Sequence, residues 1–571
     1  MSLPNLPAGD KFRREVRTEW GGINLNENAG DGELIEAMNM SSREYPLLAT
    51  AWPPEFRLQE ESAYAPVMAG SNLHYIVGKQ DGYYIRQLGC ETDKKLNLAE
   101  LDLKKVRYAA LGTRLVIMPA KQVYDVSDRS LKDMEVVFTN TSTLSIQDGT
   151  YGGVPAAGNT IYMSGANWSN KFSVGDAVTI SGCVNESNNQ TAIIREISGN
   201  YLRFYENTFV NESVQANSGF SITRSVPDMD YICVNENRVW GCRGDTIYAS
   251  KLGDPFNWNV FDGLSTDSWT TETGDPGSFT GCASFQSYPV FFKNSVIYRI
   301  VGDEPRNYTI RKINNTYGVV NGSDLSIVEV AGRLLYESPV GIVQWAGADT
   351  PTVISSPIGL DYRRWHPERV DGTPASIAGT DGVRYYVSLD YMLGYSEPGI
   401  ADIEYRLMVY DTRCGTWHEM PDTTDFNRTA FAWNGIDLFM LQDGKDENDH
   451  DVRNFYALTG PRPVDTEQPW RVTFADSTRA YKTALTGSES KKGVLRLLIR
   501  CKLAGSMKVW IAYDGGEFEE AAEFSETAKT SKVVPLILRR CDFWQLRLTG
   551  TGDAVIYSIA VEKYGGEWQQ A

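Results

Sequence analysis

Apolar and polar positions alternate along most of this chain in short runs, and one phrase of that alternation returns about seven times. A small or polar turn leads into an apolar strand carrying an aromatic. A second turn and a second aromatic strand follow. Residues 69–78 lead to 83–85, 111–118 to 123–124, 235–241 to 246–248, and 285–292 to 296–298. Residues 331–336 lead to 341–343, 381–387 to 407–410, and 434–440 to 455–456. A period of two means half-buried strands, and short-strand units recurring every ~40 to 50 residues predict the blades of a β-propeller.

The interval between the second and third phrases is much longer than the others and holds a different pattern. Lys171-Phe-Ser-Val-Gly-Asp-Ala-Val-Thr-Ile180, Thr191-Ala-Ile-Ile-Arg-Glu-Ile197 and Tyr201-Leu-Arg-Phe-Tyr205 alternate on either side of a Ser198-Gly-Asn200 turn. This is the pattern of a small β-barrel, expected over residues 136–224. Its removal returns the two flanking phrases to blade spacing, so the propeller is expected over 61–135 and 225–465. Beyond it, strands recur over 466–571 without the phrase, joined by Asp514-Gly-Gly516 and Gly550-Thr-Gly-Asp553, which predicts a C-terminal β-sandwich. Residues 1–60 do not repeat and are too short to bury their own apolar side chains, so they are expected to pack along the propeller or reach a neighbouring copy. Over 34–40 the pattern fits a short helical turn as well as an extended segment.

Composition agrees with an all-β chain rich in turns, with 51 Gly, 30 Tyr, 21 Phe and 14 Trp in 571 residues. No run approaches the ~18 apolar residues of a membrane span. The first ten residues lack the apolar core of a signal peptide, so synthesis in the cytosol is expected. Eight Cys at 90, 183, 233, 242, 282, 414, 501 and 541 form no CxxC pair and read as reduced, mostly buried hydrophobes. The net charge of −18, from 55 Lys and Arg against 73 Asp and Glu, disfavours a basic footprint for nucleic-acid backbone.

The chain offers little catalytic chemistry. Its four His (His74, His366, His418 and His450) stand at no metal-ligand spacing from one another, and it has no G-x-S-x-G elbow and no phosphate-binding glycine loop. Asp443, Asp446, Asp449 and Asp451 cluster within nine residues. Such oxygens suit Ca²⁺, but their spacing is not that of an EF-hand, and a solvated hairpin loop is the better reading. Propeller glycosidases need two carboxylates flanking a bond, and nothing selects a pair among 73 acids. One local echo of a sialidase Asp box, Asp411-Thr-Arg-Cys-Gly-Thr-Trp417, is mechanically a tight turn tucking a Trp against a blade. The aromatics permit sugar stacking, although alternating strand positions favour core packing.

Two segments carry a resemblance. Asn237-Arg238-Val-Trp240-Gly241, Tyr248 and Ser250 within Asp245-Thr-Ile-Tyr-Ala-Ser250, and Gly253-Asp254-Pro255 with Trp258 form one phrase. The other is Trp20-Gly21-Gly22-Ile-Asn-Leu25, followed by Asn39 in Glu36-Ala-Met-Asn-Met40 and by Tyr45-Pro46. Both are similar to phrases in the tail-nozzle or stabilisation proteins of short-tailed bacteriophages, the tail tubular protein B group, and together they cover about 60 residues. The resemblance implies a non-enzymatic virion protein without cofactors, assembled in the host cytoplasm, with six copies in a ring below the portal and adaptor. The ring would surround the path of double-stranded DNA, bind it nowhere specifically, and receive tail fibres or spikes on its outside. The 136–224 module departs from that pattern as an elaboration. Two alternatives stand beside this reading: a glycan- or receptor-binding propeller at a tail tip, and a propeller hydrolase of envelope polysaccharide.

Overall fold

The computed structural model describes residues 12–26, 29–30, 32–90, 92–148, 159–206, 208–313, 316–347, 350–359, 376–397, 400–420, 427–475, 493–525, 527–539 and 541–564. Among them, seven sheets are four-stranded and antiparallel, and together they make the chain a multi-bladed β-propeller. Four blades run in sequence order from Ala63–Ala69 to Lys94–Leu96, Arg107–Leu111 to Ser130–Asp133, Tyr231–Asn235 to Trp269–Glu272, and Gly281–Phe285 to Thr309–Ile313. Two more run from Val328–Val330 to Thr352–Val353 and from Ser376–Thr380 to Thr416–Glu419. The seventh uses Arg428–Trp433, Leu438–Lys445 and Asp451–Ala457, then takes Glu55–Glu60 as its fourth strand, with Phe455 opposite Leu58 and Tyr456 opposite Phe56.

The recurring phrase covers the two middle strands of each blade. Those strands are covered on both faces, so they read as nearly continuous apolar runs. Val290, Phe291 and Phe292 are fully buried, as are Leu335, Tyr336 and Val343. The turn into the second strand sets the register. In the third, fourth and fifth blades it places two residues at positive φ: Glu236 and Asn237, Gln286 and Ser287, Ala331 and Gly332. Two successive left-handed residues make the two-residue hairpin whose twist matches that of the strands it joins.

The chain divides into two compact units. Residues 62–324 hold the first four blades and the intervening module. Apolar clusters join successive blades here, as where Trp240 and Ile247 meet Phe291 and Tyr298. The module is one eight-stranded antiparallel sheet from Val136–Thr139 to Ser221–Arg224. It has its own core around Trp168, whose ring lies 4.6 Å from Phe138 and whose Nε1 donates to the Asn200 carbonyl at 2.9 Å. Val136 pairs directly with Arg224, so the module begins and ends at one place.

Residues 1–61 and 325–571 form the other unit. Besides three blades it contains two sheets sharing one apolar core that includes Val472, Leu497, Ile499, Val509, Leu548 and Ile559. The first is ordered Met40–Ser41, Leu48–Thr50, Ala554–Tyr564, Gly493–Leu503, Thr527–Pro535, with Phe12–Arg17 also on Ala554–Tyr564. The second is ordered Leu34–Met38, Pro469–Phe474, Trp544–Thr551, Ser506–Tyr513, Glu519–Phe524. Residues 34–38 and 40–41 are therefore strands, interrupted by a bend at Asn39, and the N-terminal segment supplies strands to both sheets. No helix among the described residues is long and apolar enough to cross a membrane.

Candidate functional site

The N-terminal phrase lies where its own strands meet the sixth blade. Gly22 has φ +69°, and a Cβ there would stand 2.6 Å from Thr416 Cβ and 2.8 Å from the Trp417 carbonyl oxygen, so only glycine fits. Ile23 N donates to that Trp417 oxygen at 2.8 Å, while Leu34 N donates to the Gly22 oxygen at 2.8 Å. Gly21 approaches Glu33 just as closely, a Cβ on it falling 2.6 Å from Glu33 Cγ. Asn39, at φ +59°, donates from Nδ2 to the Pro469 carbonyl at 2.6 Å and so ties the segment to the second sheet. The Tyr45–Pro46 bond is cis, and the exposed Tyr45 ring carries the Arg413 guanidinium 5.9 Å from its centroid.

Ser42, between these motif positions, donates to the fully buried Asp411 at 2.5 Å. Asp411 also accepts from Arg413 Nη2 at 2.6 Å, Arg413 Nε at 3.0 Å and Arg384 Nε at 3.2 Å. Arg384 reaches on to Asp381 at 2.9 Å, whose carboxylate also accepts from Tyr386 Oη at 3.0 Å. Burial pushes the Asp411 carboxyl up. The hydrogen bonds from Arg413 and Ser42 and the charge of Arg384 outweigh it and hold the group below the usual carboxylate range. The nearby His418 is pushed down to about 3 by burial, reinforced by Arg384. The turn after Asp411 closes through Gly415 N to the Asp411 carbonyl at 2.8 Å, and Trp417 then donates to the Ile354 carbonyl of the fifth blade at 2.7 Å.

The second phrase builds the third blade and the seat of the module. Arg238, 2 % exposed, donates to the carbonyls of Ser250 at 2.8 Å, Ser265 at 2.6 Å and Asp267 at 2.5 Å, which fastens the long 250–268 connection to its blade. Ser250 Oγ accepts from Val239 N at 3.0 Å, and Asn237, at φ +61°, accepts from Gly253 N at 2.7 Å. Trp240 packs against Trp269 and Tyr308 at 5.9 and 5.2 Å. Gly241 lies over Met229, where a Cβ would fall 2.3 Å from the sulfur. Tyr248 pairs across the sheet with Gly241 and Thr270. Asp254 caps the turn by accepting from Phe256 N at 2.9 Å and Asn257 Nδ2 at 2.6 Å, and Trp258 Nε1 donates back to the Pro255 carbonyl at 2.8 Å.

That turn presents Asn257 to the module. Its Oδ1 accepts from Ala177 N at 2.9 Å, and its Nδ2 also lies 3.3 Å from Asp176 Oδ1. Asp176 in turn binds Arg224 Nη1 at 2.5 Å, with both side chains buried. Arg224 donates as well to the carbonyls of Met134 at 3.0 Å and Asp133 at 3.1 Å, at the end of the second blade. One buried cluster thus joins the module's first turn, its last strand, the preceding blade and the 254–258 turn. Nothing in the local sequence signals Asp176 or Arg224. Asn257 was within the phrase but has the amide side chain of an ordinary turn residue.

The acidic loop is a hairpin end in which cations and backbone N–H groups take up the four carboxylates. Asp446 accepts from Asn448 N at 2.7 Å, His450 N at 2.9 Å and His450 Nδ1 at 3.0 Å. Asp451 and Asp449 lie 2.8 and 3.9 Å from Lys445 Nζ, and Asp443 lies 3.0 Å from Arg453 Nη1. Among the described residues no group of three or more His, Cys, Asp or Glu is placed to hold a metal ion. His74 is fully buried against Tyr124 and faces the Asn72 carbonyl at 3.1 Å. His366 lies outside the described residues. All eight cysteines are free thiols.

Comparison with protein families and with characterised proteins gives no match. Among solved structures the chain is similar to an endosialidase of phage phi92, with a TM-score of 0.27 and 11% identity over 78% of this chain and 75% of that one. It is also similar to the β-propeller domain of the Trilobed protease from Pyrococcus furiosus, with a TM-score of 0.28 and 9% identity over 71% and 99% of the two chains. An acylaminoacyl peptidase from Pyrococcus horikoshii matches with a TM-score of 0.29 and 11% identity over 73% and 59%. Likeness at this level says nothing of activity.

Proposed function

We propose that this chain is a non-enzymatic structural component of a bacteriophage tail, a nozzle or hub ring below the portal and adaptor through which the genome leaves. The observation that carries this reading is how the two resembling phrases are used. Gly22 and Asn39 seat the N-terminal strands on the sixth blade and the second sheet, and Arg238 with Asn257 fastens the third blade to the inserted module. Residues so committed to joining modules suit a building block. The charge of −18 fits a conduit for DNA, because an acidic wall repels phosphates and keeps the duplex from sticking. Six copies, fibres or spikes on the outside, and residence in the virion complete the proposal.

The test is mass photometry of the purified chain, alone and with its adaptor, with negative-stain imaging of the same samples. Closed sixfold rings with a central hole are expected. A chain that stays monomeric with its adaptor present overturns the ring. A second reading, receptor binding, draws on the exposed rings of Tyr201 and Tyr205 on the module, and glycan-array binding by the intact chain would favour it.

A further inference from the structure

On the fourth blade, a cleft of about 410 Å³ opens between the segment leading into its first strand and the hairpin at 293–296. It falls in the size range of small-molecule sites, about 300–1,000 Å³. Its floor carries a buried cation. Lys293 is 4 % exposed, and its Nζ lies 5.2 Å from the centroid of the Phe279 ring and 5.8 Å from that of Tyr298. Two of its donors go to Thr273 Oγ1 at 3.0 Å and to the Asp275 carbonyl at 2.6 Å. The third donor of an ammonium group finds no acceptor among the described residues.

The one carboxylate lining the cleft, Asp275, is already engaged by Tyr298 Oη at 2.5 Å and Lys312 Nζ at 3.0 Å. Asp245 adds a second negative charge near Lys293, so the two ammonium groups are matched by two carboxylates, only one of which lines the cleft. Burial pushes the Lys293 ammonium below its ordinary value, and Asp245 and Asp275 make good only part of that loss. What Lys293 lacks is an acceptor for its third donor, and a carboxylate oxygen makes the stronger, charge-assisted bond there.

The rest of the lining narrows the class. Asn294, Ser295 and Asn321 also line the cleft, residue types that suit a molecule with several hydroxyls. Asp275 accepts a hydroxyl hydrogen but repels a dianion, which disfavours phosphate against a monoanion. We propose that this cleft binds a small hydroxylated monocarboxylate of the sugar-acid class, with its carboxylate on Lys293 and its hydroxyls on Asp275 and the surrounding amides.

The experiment is calorimetric titration of the full chain with sodium glucuronate, with glucose and inorganic phosphate as comparisons. Saturable one-site binding of glucuronate is expected, at least tenfold tighter than glucose or phosphate. Lys293→Met should weaken it at least tenfold. Ser295→Trp, at an exposed turn position on the cleft, should abolish it with an unchanged thermal midpoint, and it decides the matter if Lys293→Met does not fold. Equal affinity for glucose, tighter binding of phosphate, no saturation by about 20 mM, or binding that survives Ser295→Trp would each overturn the proposal.

Discussion

His418 and Asp411 face each other's surroundings at the end of the sixth blade, and both make this molecule sensitive to acid. Each has a folded-state pKa below its ordinary value. For His418, at about 3 when folded, the unfolded chain binds the proton first. Stability is therefore fully present above the ordinary histidine value of ~6.5 and falls as pH drops from there toward 3, by up to about 1.4 kcal/mol per pH unit. Asp411 adds its own loss lower down, from the ordinary carboxylate value of ~3.9 to its folded-state value. Urea unfolding midpoints at pH 7, 5.5 and 4 should fall in the parent chain and fall less steeply in His418→Gln. Identical slopes would mean His418 is not held neutral by burial. The sequence showed part of this site. Asp411–Trp417 read correctly as a turn that buries a Trp, because that geometry is local. Ser42, which holds Asp411 from 369 residues away, left no local trace.

Between residue and molecule, the working unit is the blade with its connection. Its strands were legible because burial on both faces leaves an apolar run, and because a tight turn with one or two left-handed residues follows the first strand. The function of Arg238 was not. A cation after a turn reads as solvated, yet here a planar guanidinium supplies several fixed donors to carbonyls of a connection that has no ladder of its own. Lysine offers a single nitrogen and cannot span them. Arg238→Lys should therefore cost about 2 kcal/mol, the worth of one or two charge-assisted hydrogen bonds with carbonyls left unpaired. Amide exchange should quicken across 250–268, where Leu252 N and Ser268 N hydrogen-bond within the connection. Arg243→Lys, on the same strand but exposed, should change neither. Equal effects at the two positions would show that charge, not the fork, is what matters.

At the scale of the molecule, composition and repeat made the all-β propeller readable, since each blade writes its own period. Partnerships between distant segments stayed hidden. The strands at 12–17, 34–38 and 40–41 belong to sheets completed after residue 469, and a pairing across that interval has no sequence period to betray it. Deleting residues 1–45 would consequently remove strands from both sheets, so loss of ring assembly in that variant would not separate folding from assembly.

The inserted module allows a cleaner cut. Val136 and Arg224 are paired neighbours, so a linker of a few residues can join Glu135 to Ser225 without stretching either blade, and closing so short a gap adds little entropy. The module's core is its own, and its seat is the buried Asp176, Arg224 and Asn257 cluster. Two members of that cluster leave with the module, and Asn257 moves from buried contact to water. Replacement of 136–224 by a four-residue linker should therefore give a soluble chain that still unfolds cooperatively in scanning calorimetry. Asp176→Asn in the intact chain should be worse than the excision, because it strands the Arg224 charge in the seat, at a cost of about 3 kcal/mol. If the excised chain aggregates while Asp176→Asn is well folded, the module is a working part of the propeller core and the order of these two effects is reversed.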